Sequence, residues 1–416
     1  MSLDWLSRRS RLAARGSALF VLALEILGAA PAPAPALPYV YVSEKHSNDA
    51  VVIDAATNTV VTHVPVGASP SGVAATANGR VVYVVDAGDT SNDVSVIDVA
   101  SQQSTRTIPV GKQPQGIVVH PTAGFAYVTS TGASAVGIID TSRGLLIGSI
   151  DVGLMPAGLA LTPDGHFLYV ANAQDLSHPT DGTVSVIDTT TKLVVDDIAV
   201  GKNPFSIAMA PDGLTAYVVN SNSLYTEGLG SVSVIDTATN TVTGTIPVGN
   251  NPLDIAIAPD GSAAYVSNFS DNTVQVIDLA TQTVTATIQV GLGPLGIAIT
   301  PDGSTVYVAN RQPFGFARNG DVSVIDTTQG KVIATIPVGD NPTEIAIAAP
   351  ASGGCPGDCD GNGSVSIAEL LLAVNIALGS ASIDQCVAAD PSGNGTVEVN
   401  ELLAAVASSL NGCPAD

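Results

Sequence analysis

One unit of 42 to 48 residues occurs seven times between about residues 38 and 350. Each copy contains a Tyr-Val pair, an Ile-Asp pair and the sequence Val-Gly-x-x-Pro, in that order. The tyrosines of the seven pairs are Tyr41, Tyr83, Tyr127, Tyr169, Tyr217, Tyr265 and Tyr307. The aspartates are Asp54, Asp98, Asp140, Asp188, Asp236, Asp278 and Asp326. A repeat of this length predicts an array in which each unit buries its apolar surface against the next.

Four short strands are predicted in each unit. In the unit that begins at Tyr265, TVQVID alternates apolar and polar residues, and TVTATIQVG does so after the turn LATQ. GIAIT then leads into PDG, a tight turn whose glycine takes a positive φ angle. We name the strands a (IAIAPDG), b (YVxN), c (VSVID) and d (TIPVG). Four strands per unit is the content of one propeller blade.

The order of these strands predicts how the ring closes. The repeat begins with a b strand in LPYVYVSE and ends with an a strand in PTEIAIAAP. The last a strand must therefore complete the first blade, which removes the exposed sheet edges that favour aggregation. The predicted fold is mainly β: a seven-bladed β-propeller of four-stranded blades over residues 37–350.

The repeat resembles that of the YVTN-repeat β-propellers, which are related to surface-layer proteins and to NHL-type propellers. The pattern YVxN…VSVIDTxTxxVxxTIPVGxxPxxIAxxPDG fits about 310 residues of this chain. The resemblance implies an exported protein, and it implies no particular activity. The repeated residues themselves are expected to be structural: aspartates bonding backbone in the c–d turn, prolines stiffening the crossover and tyrosines packing between blades.

Length variation in the repeat is confined to the b–c loop. The distance from tyrosine to aspartate is 13, 15, 13, 19, 19, 13 and 19 residues in the seven units. The three long loops, in blades four, five and seven, lie on one arc of the face that also carries the d-to-a connections. Since binding residues concentrate in loops on rigid scaffolds, the candidate surface residues in the blade-five and blade-seven loops are Tyr225, Arg311, Phe314, Phe316 and Arg318.

The same face should contain the mouth of the central channel. The residues two after each Val-Gly-x-x-Pro proline are Gly72, Gly116, Gly158, Ser206, Asp254, Gly296 and Glu344. Small residues are expected where strands approach the axis, so Asp254 and Glu344 are exceptions, and their strands flank blade seven. The cluster predicts a site for a polar ligand with a flat apolar part, a protein or a cell-surface glycan. The alternative is two solvated carboxylates beside a mobile loop.

Catalytic motifs are missing from the propeller sequence. Its five histidines show no HxH or HxxxH spacing, no cysteine is present in the repeats, and there is no GxSxG elbow. We therefore expect no copper or zinc centre and favour a non-catalytic binding, surface or scaffold protein. The alternative is a lactonase-like hydrolase or lyase that uses the channel mouth, since seven-bladed propellers of that kind exist.

Residues 351–416 contain two copies of a calcium-loop pattern. GDCDGNGSVSIAELL matches D-x-[DN]-x-[DN]-G-x5-E in full, and DPSGNGTVEVNELL matches it apart from a serine at the third position. Alternating oxygen donors of this kind wrap a hard cation such as Ca²⁺. The candidate ligands of the first loop are Asp358, Asp360, Asn362, Ser364, Ser366 and Glu369, and those of the second are Asp390, Ser392, Asn394, Thr396, Glu398 and Glu401.

Each loop is followed by an apolar helix pattern, which predicts a small, duplicated loop–helix module with Val365 and Val397 pairing between the loops. The arrangement resembles a type I dockerin more than an EF-hand pair, because GGCPG cannot form an entering helix. The resemblance implies a cohesin-like partner and an extracellular polysaccharide-acting assembly. The sequence departs from the dockerin pattern at three positions of each loop. Position 12 is glutamate, and positions 10 and 11 are Ile367-Ala368 in the first loop and Val399-Asn400 in the second.

The four cysteines all lie in this C-terminal module, at Cys355, Cys359, Cys386 and Cys413. An even number of cysteines in a small exported module predicts two disulfides, with three possible pairings. Cys355 with Cys413 is the pairing we favour, because it would join the two ends of the module.

The N-terminal 36 residues predict a signal peptide. Four arginines precede GSALFVLALEILGAA, an apolar run too short for a membrane span and interrupted by Glu25, and cleavage is expected near Ala36. An uncleaved anchor is the alternative, and in both cases the remainder is exported to the cell surface, the extracellular medium or the periplasm. The formal net charge of −23 makes nucleic acid an unsuitable partner.

Overall fold

The computed structural model describes residues 38–88, 91–173, 181–222, 228–312, 320–348, 357, 365–381, 386–389, 397 and 399–411. These residues form 28 strands, two α-helices and one 3₁₀ turn. The strands belong to seven four-stranded antiparallel sheets, each of which is one blade.

Each blade runs from an a strand beside the channel, through a b and a c strand, to an outer d strand. The innermost (a) strands are β28 (Pro342–Ala348), β4 (Pro70–Ala75), β8 (Pro114–Val119), β12 (Pro156–Leu161), β16 (Pro204–Met209), β20 (Pro252–Ile257) and β24 (Pro294–Ile299). The b strands are β1 (Tyr39–Glu44), β5 (Val81–Asp86), β9 (Phe125–Ser130), β13 (Phe167–Asn172), β17 (Thr215–Asn220), β21 (Ala263–Asn268) and β25 (Thr305–Asn310). The c strands are β2 (Asp49–Asp54), β6 (Asp93–Asp98), β10 (Ala135–Asp140), β14 (Asp181–Asp188), β18 (Leu229–Asp236), β22 (Thr273–Asp278) and β26 (Asp321–Asp326). The outer (d) strands are β3 (Thr59–Pro65), β7 (Gln103–Pro109), β11 (Leu145–Asp151), β15 (Leu193–Lys202), β19 (Thr241–Asn250), β23 (Thr283–Gln289) and β27 (Lys331–Pro337).

The predicted seven-bladed fold and its closure are confirmed. Blade one has the order β28-β1-β2-β3, so the last strand of the repeat completes the blade that the first three strands begin. Tyr41 of β1 pairs with Val52 on one side and with Ala346 on the other. Strand β1 therefore has a hydrogen-bonded partner on each side at the junction of the two ends of the repeat.

Alternation along the strands places the core between blades. The b and c strands are almost wholly buried, whereas the d strands expose many of their side chains. The repeated tyrosines pack between blades, as predicted. Two of them also bond to the next blade: the Tyr169 hydroxyl donates to Asn240 Oδ1 at 2.8 Å, and the Tyr307 hydroxyl donates to Asn58 Oδ1 at 2.9 Å. Each of these rings thus contributes buried apolar area and one polar contact at the blade boundary.

The repeated aspartates cap the c–d turns, also as predicted. Asp188 Oδ1 accepts hydrogen bonds from the backbone N–H groups of Thr190 at 2.8 Å and Thr191 at 2.9 Å. The same side chain-to-backbone contact occurs at Asp54, Asp98, Asp140, Asp236, Asp278 and Asp326. These Asx turns satisfy backbone donors at the tip of each hairpin.

A second repeated contact joins each d-to-a crossover to its blade. The last b-strand residue lies directly beneath the glycine of Val-Gly-x-x-Pro, and a Cβ on Gly201 would stand 2.7 Å from the side chain of Asn220. Asn220 Nδ2 in turn donates to Ser233 Oγ at 2.9 Å. Glycine is therefore required here because the polar side chain occupies the space of a Cβ.

The described C-terminal segments are helical. Helix α1 spans Ile367–Ala377, a 3₁₀ turn spans Val387–Ala389, and helix α2 spans Val399–Asn411. Among the residues described, no helix is both long enough and apolar enough to cross a membrane.

Candidate functional site at the channel mouth

The inner strands of the seven blades surround a cavity of about 530 Å³. Its wall includes the residues that follow the b strands, among them Lys45, Thr131 and Arg311, and crossover residues such as Gln113 and Met155. The b–c loops and the d-to-a crossovers therefore open on one face, as the strand count predicts.

Glycines at the predicted axial positions allow the inner strands to approach one another. A Cβ on Gly158 would stand 2.7 Å from Phe205 O of the next blade, and one on Gly296 would stand 2.6 Å from Thr343 O. Contacts this short do not occur for real side chains, so these positions need glycine. Asp254 and Glu344 depart from the rule and contribute carboxyl groups to the cavity wall.

Asp254 connects three neighbouring blades through its carboxylate. Oδ1 accepts a hydrogen bond of 2.5 Å from Ser206 Oγ of β16, and Oδ2 accepts one of 2.9 Å from the backbone N–H of Ile297 in β24. Its own backbone N–H donates to Ser267 Oγ at 3.1 Å. The side chain is thereby fixed in place before any ligand arrives.

Asp254 and Glu344 form a carboxyl pair. Burial in the wall of the ring raises the pKa of Asp254, and the Ser206 hydroxyl and the Ile297 N–H partly oppose that rise. Burial also raises the pKa of Glu344 well above its usual value, and the neighbouring Asp254 carboxylate raises it further. Because two adjacent carboxylates resist simultaneous ionisation, the pair retains a proton more readily than either group would alone.

Two cationic side chains lie on the same cavity. Arg311, which follows β25, and Lys45, which follows β1, are both half-buried and both contribute to the wall. Arg311 Nε donates to Asn341 Oδ1 at 2.9 Å, which orients the guanidinium. Burial lowers the pKa of Lys45, and the nearby Arg311 charge lowers it further. Two like charges brought together at a partly desolvated site create a local positive potential.

The structure thus brings Asp254, Glu344 and Arg311 to one cavity. Phe314, Phe316, Arg318 and Tyr225 lie outside the described residues, so their part in the predicted surface stays a prediction.

Lys45, Gln113 and Gln115 are cavity residues that sequence reasoning missed. The signal for Lys45 was its position: it follows the b strand of blade one at the place where Arg311 follows the b strand of blade seven. The two glutamines belong to the crossover and inner strand of blade three, where the sequence is Lys-Gln-Pro-Gln-Gly; none of the other six crossovers has glutamine at these positions.

The C-terminal module, for which calcium binding is predicted, is described only in part. Ser366 is the N-cap of α1: its Oγ accepts from Glu369 N at 3.3 Å, and Glu369 Oε2 accepts from Ser366 N at 2.7 Å, a reciprocal capping box. Glu369 and Glu401, the twelfth residues of the two loops, are 7% and 3% exposed. Val365 and Val397 are also buried.

The remaining predicted calcium ligands fall outside the described residues. They are Asp358, Asp360, Asn362, Ser364, Asp390, Ser392, Asn394, Thr396 and Glu398. Cys386, the one cysteine in the described segments, is buried and disulfide-bonded. The other three cysteines, and with them the favoured Cys355–Cys413 pairing, lie outside the described residues.

The channel-mouth geometry and the blade topology define the molecule as a seven-bladed β-propeller. The model of the "Choice-of-anchor I domain" family matches residues 122–292. These residues run from just before the b strand of blade three to the crossover that leads into blade seven. Together with the structural neighbours, this match supports a β-propeller family. No curated protein sequence matches the chain.

Solved structures similar to the chain share its fold and differ in what they do. Hydrazine synthase from Kuenenia stuttgartiensis is 25% identical, with a TM-score of 0.62, and the match covers 69% of this chain and 92% of that one. A functionally unknown protein from Desulfotomaculum acetoxidans is 18% identical, with a TM-score of 0.61 and coverages of 75% and 99%. Dihydro-heme d1 dehydrogenase NirN is 13% identical, with a TM-score of 0.56 and 75% coverage of each chain. Because 1517 chains match, the similarity identifies an architecture and no activity.

Proposed function

We propose that the protein is an exported, surface-associated binding protein whose channel mouth takes an anionic, hydroxyl-rich ligand. The observation that carries the proposal is the convergence of the Asp254–Glu344 carboxyl pair and the half-buried Arg311 on one cavity of about 530 Å³. An acidic sugar unit of a cell-surface glycan has the chemistry that this set of groups would recognise.

The charges of the cavity support an anionic group on the ligand. In a chain with 14 basic and 37 acidic residues, Arg311 lies close enough to Lys45 to lower the pKa of that lysine. Both side chains are charge-assisted donors in the wall of one cavity, and a ligand carboxylate is a group that both could bind.

The carboxyl pair supports hydroxyl groups on the ligand. Asp254 and Glu344 offer acceptors for ligand hydroxyls, and a shared proton would let the pair donate one hydrogen bond as well. Gln113 and Gln115 add amide donors and acceptors, while Leu253 supplies apolar surface in the same cavity. Such mixed walls, with a few polar groups among apolar ones, are typical of small-ligand sites.

Export and surface association rest on two supports. The N-terminal sequence has the pattern of a signal peptide, and the matching family model carries a surface-anchor description. The C-terminal module is proposed to bind Ca²⁺, with Glu369 and Glu401 closing the two loops as position-12 ligands. The buried carboxylates and the capping box at Ser366 support this part of the proposal. A cohesin-like partner for the module would rest on the dockerin resemblance alone.

Thermal unfolding of the full chain with a panel of small ligands tests the binding proposal. The panel contains uronic acids, the matching neutral hexoses and short acidic peptides, each added at millimolar concentration. Uronic acids are expected to raise the Tm and hexoses to leave it unchanged, because only the acids carry the charge for Lys45 and Arg311. An equal response to acid and hexose, or no response to any acid, would contradict the proposal. A response to the acidic peptides alone would identify a protein partner in place of a glycan.

A second candidate function, hydrolysis or lysis of a ligand, is favoured by one observation. A carboxyl pair with raised pKa values in a cleft is the arrangement that general acid catalysis uses. Incubation with lactone and glycan substrates, followed by product analysis, distinguishes the two functions. Turnover that is lost in an Asp254→Asn, Glu344→Gln double variant would replace the binding proposal with an enzymatic one.

A further inference from the structure

Three ligand-type side chains that do not line the channel-mouth cavity converge on one side of blade one. Glu44 ends β1, Asp49 begins β2, and His63 lies in β3. One ligand atom from each lies within 4.8 Å of the others. Across the described ranges, no other three His, Cys, Asp or Glu side chains converge in this way.

The register of the blade explains the convergence. Glu44 is the direct partner of Asp49, and His63 is the direct partner of Val51, two residues further along the same strand. Because side chains two apart on a strand share a face, all three project from the same side of the sheet. This side packs against blade seven, since Val42 and Val51 share a core cluster with Tyr307 and Val322.

The corresponding positions in the other blades have different chemistry. Glu44 is replaced by Asp86, Ser130, Asn172, Asn220, Asn268 and Asn310. The partners of those residues, equivalent to Asp49, are Asp93, Ala135, Thr183, Ser231, Thr273 and Asp321. The residues equivalent to His63 are Thr107, Ser149, Asp197, Thr245, Thr287 and Thr335. Blade one alone has an ionisable side chain at all three positions, so the repeat pattern itself does not require them.

The surroundings orient these groups. Glu44 is fully buried; Ser47 Oγ donates to its Oε2 at 2.7 Å, and the backbone N–H of Gly339 donates to its Oε1. His63 Nδ1 lies 3.1 Å from Asp49 Oδ2. The other oxygen of the same carboxylate, Asp49 Oδ1, is buried, and the Glu44 carboxyl faces Asp49 across the strand pair. Two carboxylates this close repel one another when both are ionised, and a cation bound between them would remove that repulsion.

We propose that Glu44, Asp49 and His63 form a binding site for a divalent transition-metal ion of the Zn²⁺ class. An imidazole with two carboxylates is a ligand set for Zn²⁺, Mn²⁺ or Fe²⁺, whereas Ca²⁺ and Mg²⁺ take oxygen ligands throughout. The donors from Ser47 and Gly339 are the outer contacts that hold a ligating carboxylate in position. The His63 side chain is 48% exposed, so an ion can enter from solvent.

The position of the site gives it a structural consequence. It joins β1, β2 and β3 to Gly339 in the crossover that leads into β28, and β28 is the strand that closes the ring. An ion bound here would hold the Glu44 carboxylate in the position where it accepts from Gly339, the contact that joins the first strands of the repeat to its last crossover. Since a ligand that binds only the folded state stabilises it by mass action, metal binding should resist opening of the ring at blade one.

Sequence spacing could not reveal this site. The three residues come from three different strands and are separated by 5 and 14 positions, so they form no HxH, HxxxH or similar motif. The expectation of no zinc centre rested on the lack of such motifs. The proposal rests on strand register instead, and it places a metal site in a propeller where the sequence motifs predict none.

Isothermal titration of the full chain with Zn²⁺ tests the proposal, with Ca²⁺ present in excess so that the C-terminal loops are occupied. One equivalent of Zn²⁺ is expected to bind per chain, and His63→Asn or Asp49→Asn is expected to weaken that affinity at least ~10-fold. Co²⁺ titration gives a second measurement, because bound Co²⁺ reports its ligand geometry in its visible absorption. That absorption should change in His63→Asn.

His166→Asn is the matched control. His166 Nδ1 lies 3.4 Å from Asp164 Oδ2 on an exposed turn, a His–Asp pair without a buried glutamate beside it. This variant should bind Zn²⁺ as the wild type does. The proposal is overturned if the wild type binds no Zn²⁺, or if His63→Asn and His166→Asn lose affinity equally. The Tm of His63→Asn without metal verifies that the variant is folded.

Discussion

Ser206 Oγ donates a 2.5 Å hydrogen bond to Asp254 Oδ1, and this bond joins the innermost strands of blades five and six at the channel. The other carboxylate oxygen accepts from Ile297 N in the inner strand of blade seven. One side chain therefore fixes the relative position of three blades beside the cavity that we propose as the ligand site.

Asp254→Ala should destabilise the propeller by about 1–3 kcal/mol, because the Ser206 hydroxyl and the Ile297 N–H would lose a buried acceptor. Urea unfolding at pH 7 measures the effect. Asp254→Asn is the control, since an amide oxygen can still accept one of the two bonds. Equal stabilities for wild type and Asp254→Ala would show that these hydrogen bonds do not hold the blades together.

Asp86→Asn should flatten the pH dependence of stability. Burial, with further contributions from Asp93, raises the pKa of Asp86 to about 7, against an unfolded value of about 3.9. The folded state therefore holds a proton that the unfolded state releases between these pH values, and stability falls as the pH rises from about 4 to about 7. Asparagine has no proton that titrates in this range. Blades four, five, six and seven already have asparagine at this position.

Unfolding free energies from about pH 4 to about pH 8 measure this difference between wild type and Asp86→Asn. The asparagine should donate to Ser95 as Asn172 donates to Ser185 at 2.9 Å. Asn220→Asp is the reciprocal variant and should add a similar loss of stability at high pH. Parallel curves for wild type and Asp86→Asn would argue against a raised Asp86 pKa.

Gly158→Ala should destabilise the ring by about 1–3 kcal/mol, the usual effect of overpacking. The added methyl would stand 2.7 Å from Phe205 O and 2.8 Å from Ser206 Cα of the adjacent inner strand. Gly148→Ala is the control on an outer strand, where the nearest atom would be 4.0 Å away. Thermal unfolding of the two variants separates axial crowding from a general effect of replacing glycine. Equal Tm values for the two variants would contradict the axial role of Gly158.

Glu369→Gln should weaken calcium-dependent stabilisation of the C-terminal module while leaving helix α1 in place. Glutamine at this position can still complete the capping box with Ser366, but it lacks the charged, bidentate carboxylate of a position-12 ligand. Calcium titration of the full chain, followed by unfolding with and without EDTA, measures the change. The calcium assignment would be contradicted if EDTA had no effect on the unfolding of the wild type.

Much of the propeller could be predicted because the repeat specifies it many times over. The tyrosines, aspartates and Val-Gly-x-x-Pro segments recur in the same order, and the aspartates make the same turn contact in all seven blades. The count of strands predicts closure through β28, since a leftover strand would leave an open edge. Asp254, Glu344 and Arg311 could be placed near the channel because they break the repeat at positions whose geometry the repeat defines.

Other features depend on information that the repeat does not contain. Lys45 and Arg311 meet because blades one and seven are neighbours only after the ring closes. Glu44, Asp49 and His63 meet because of strand register, in which a shift of one residue would move a side chain to the opposite face. The carboxyl pKa values depend on burial between blades, which sequence periodicity does not describe.

Titration calorimetry with D-galacturonate tests the central proposal most directly. The ligand is titrated into wild type, Lys45→Gln, Arg311→Gln and Arg143→Gln; the last removes an exposed arginine from a c–d turn on the opposite face. We predict that wild type and Arg143→Gln bind the ligand with the same affinity. The affinity of Lys45→Gln and of Arg311→Gln should be at least ~10-fold weaker, because each variant loses a cation that would hold the anion at the channel mouth. Identical affinities in all four proteins, or no binding of this or any other uronic acid, would contradict the proposal.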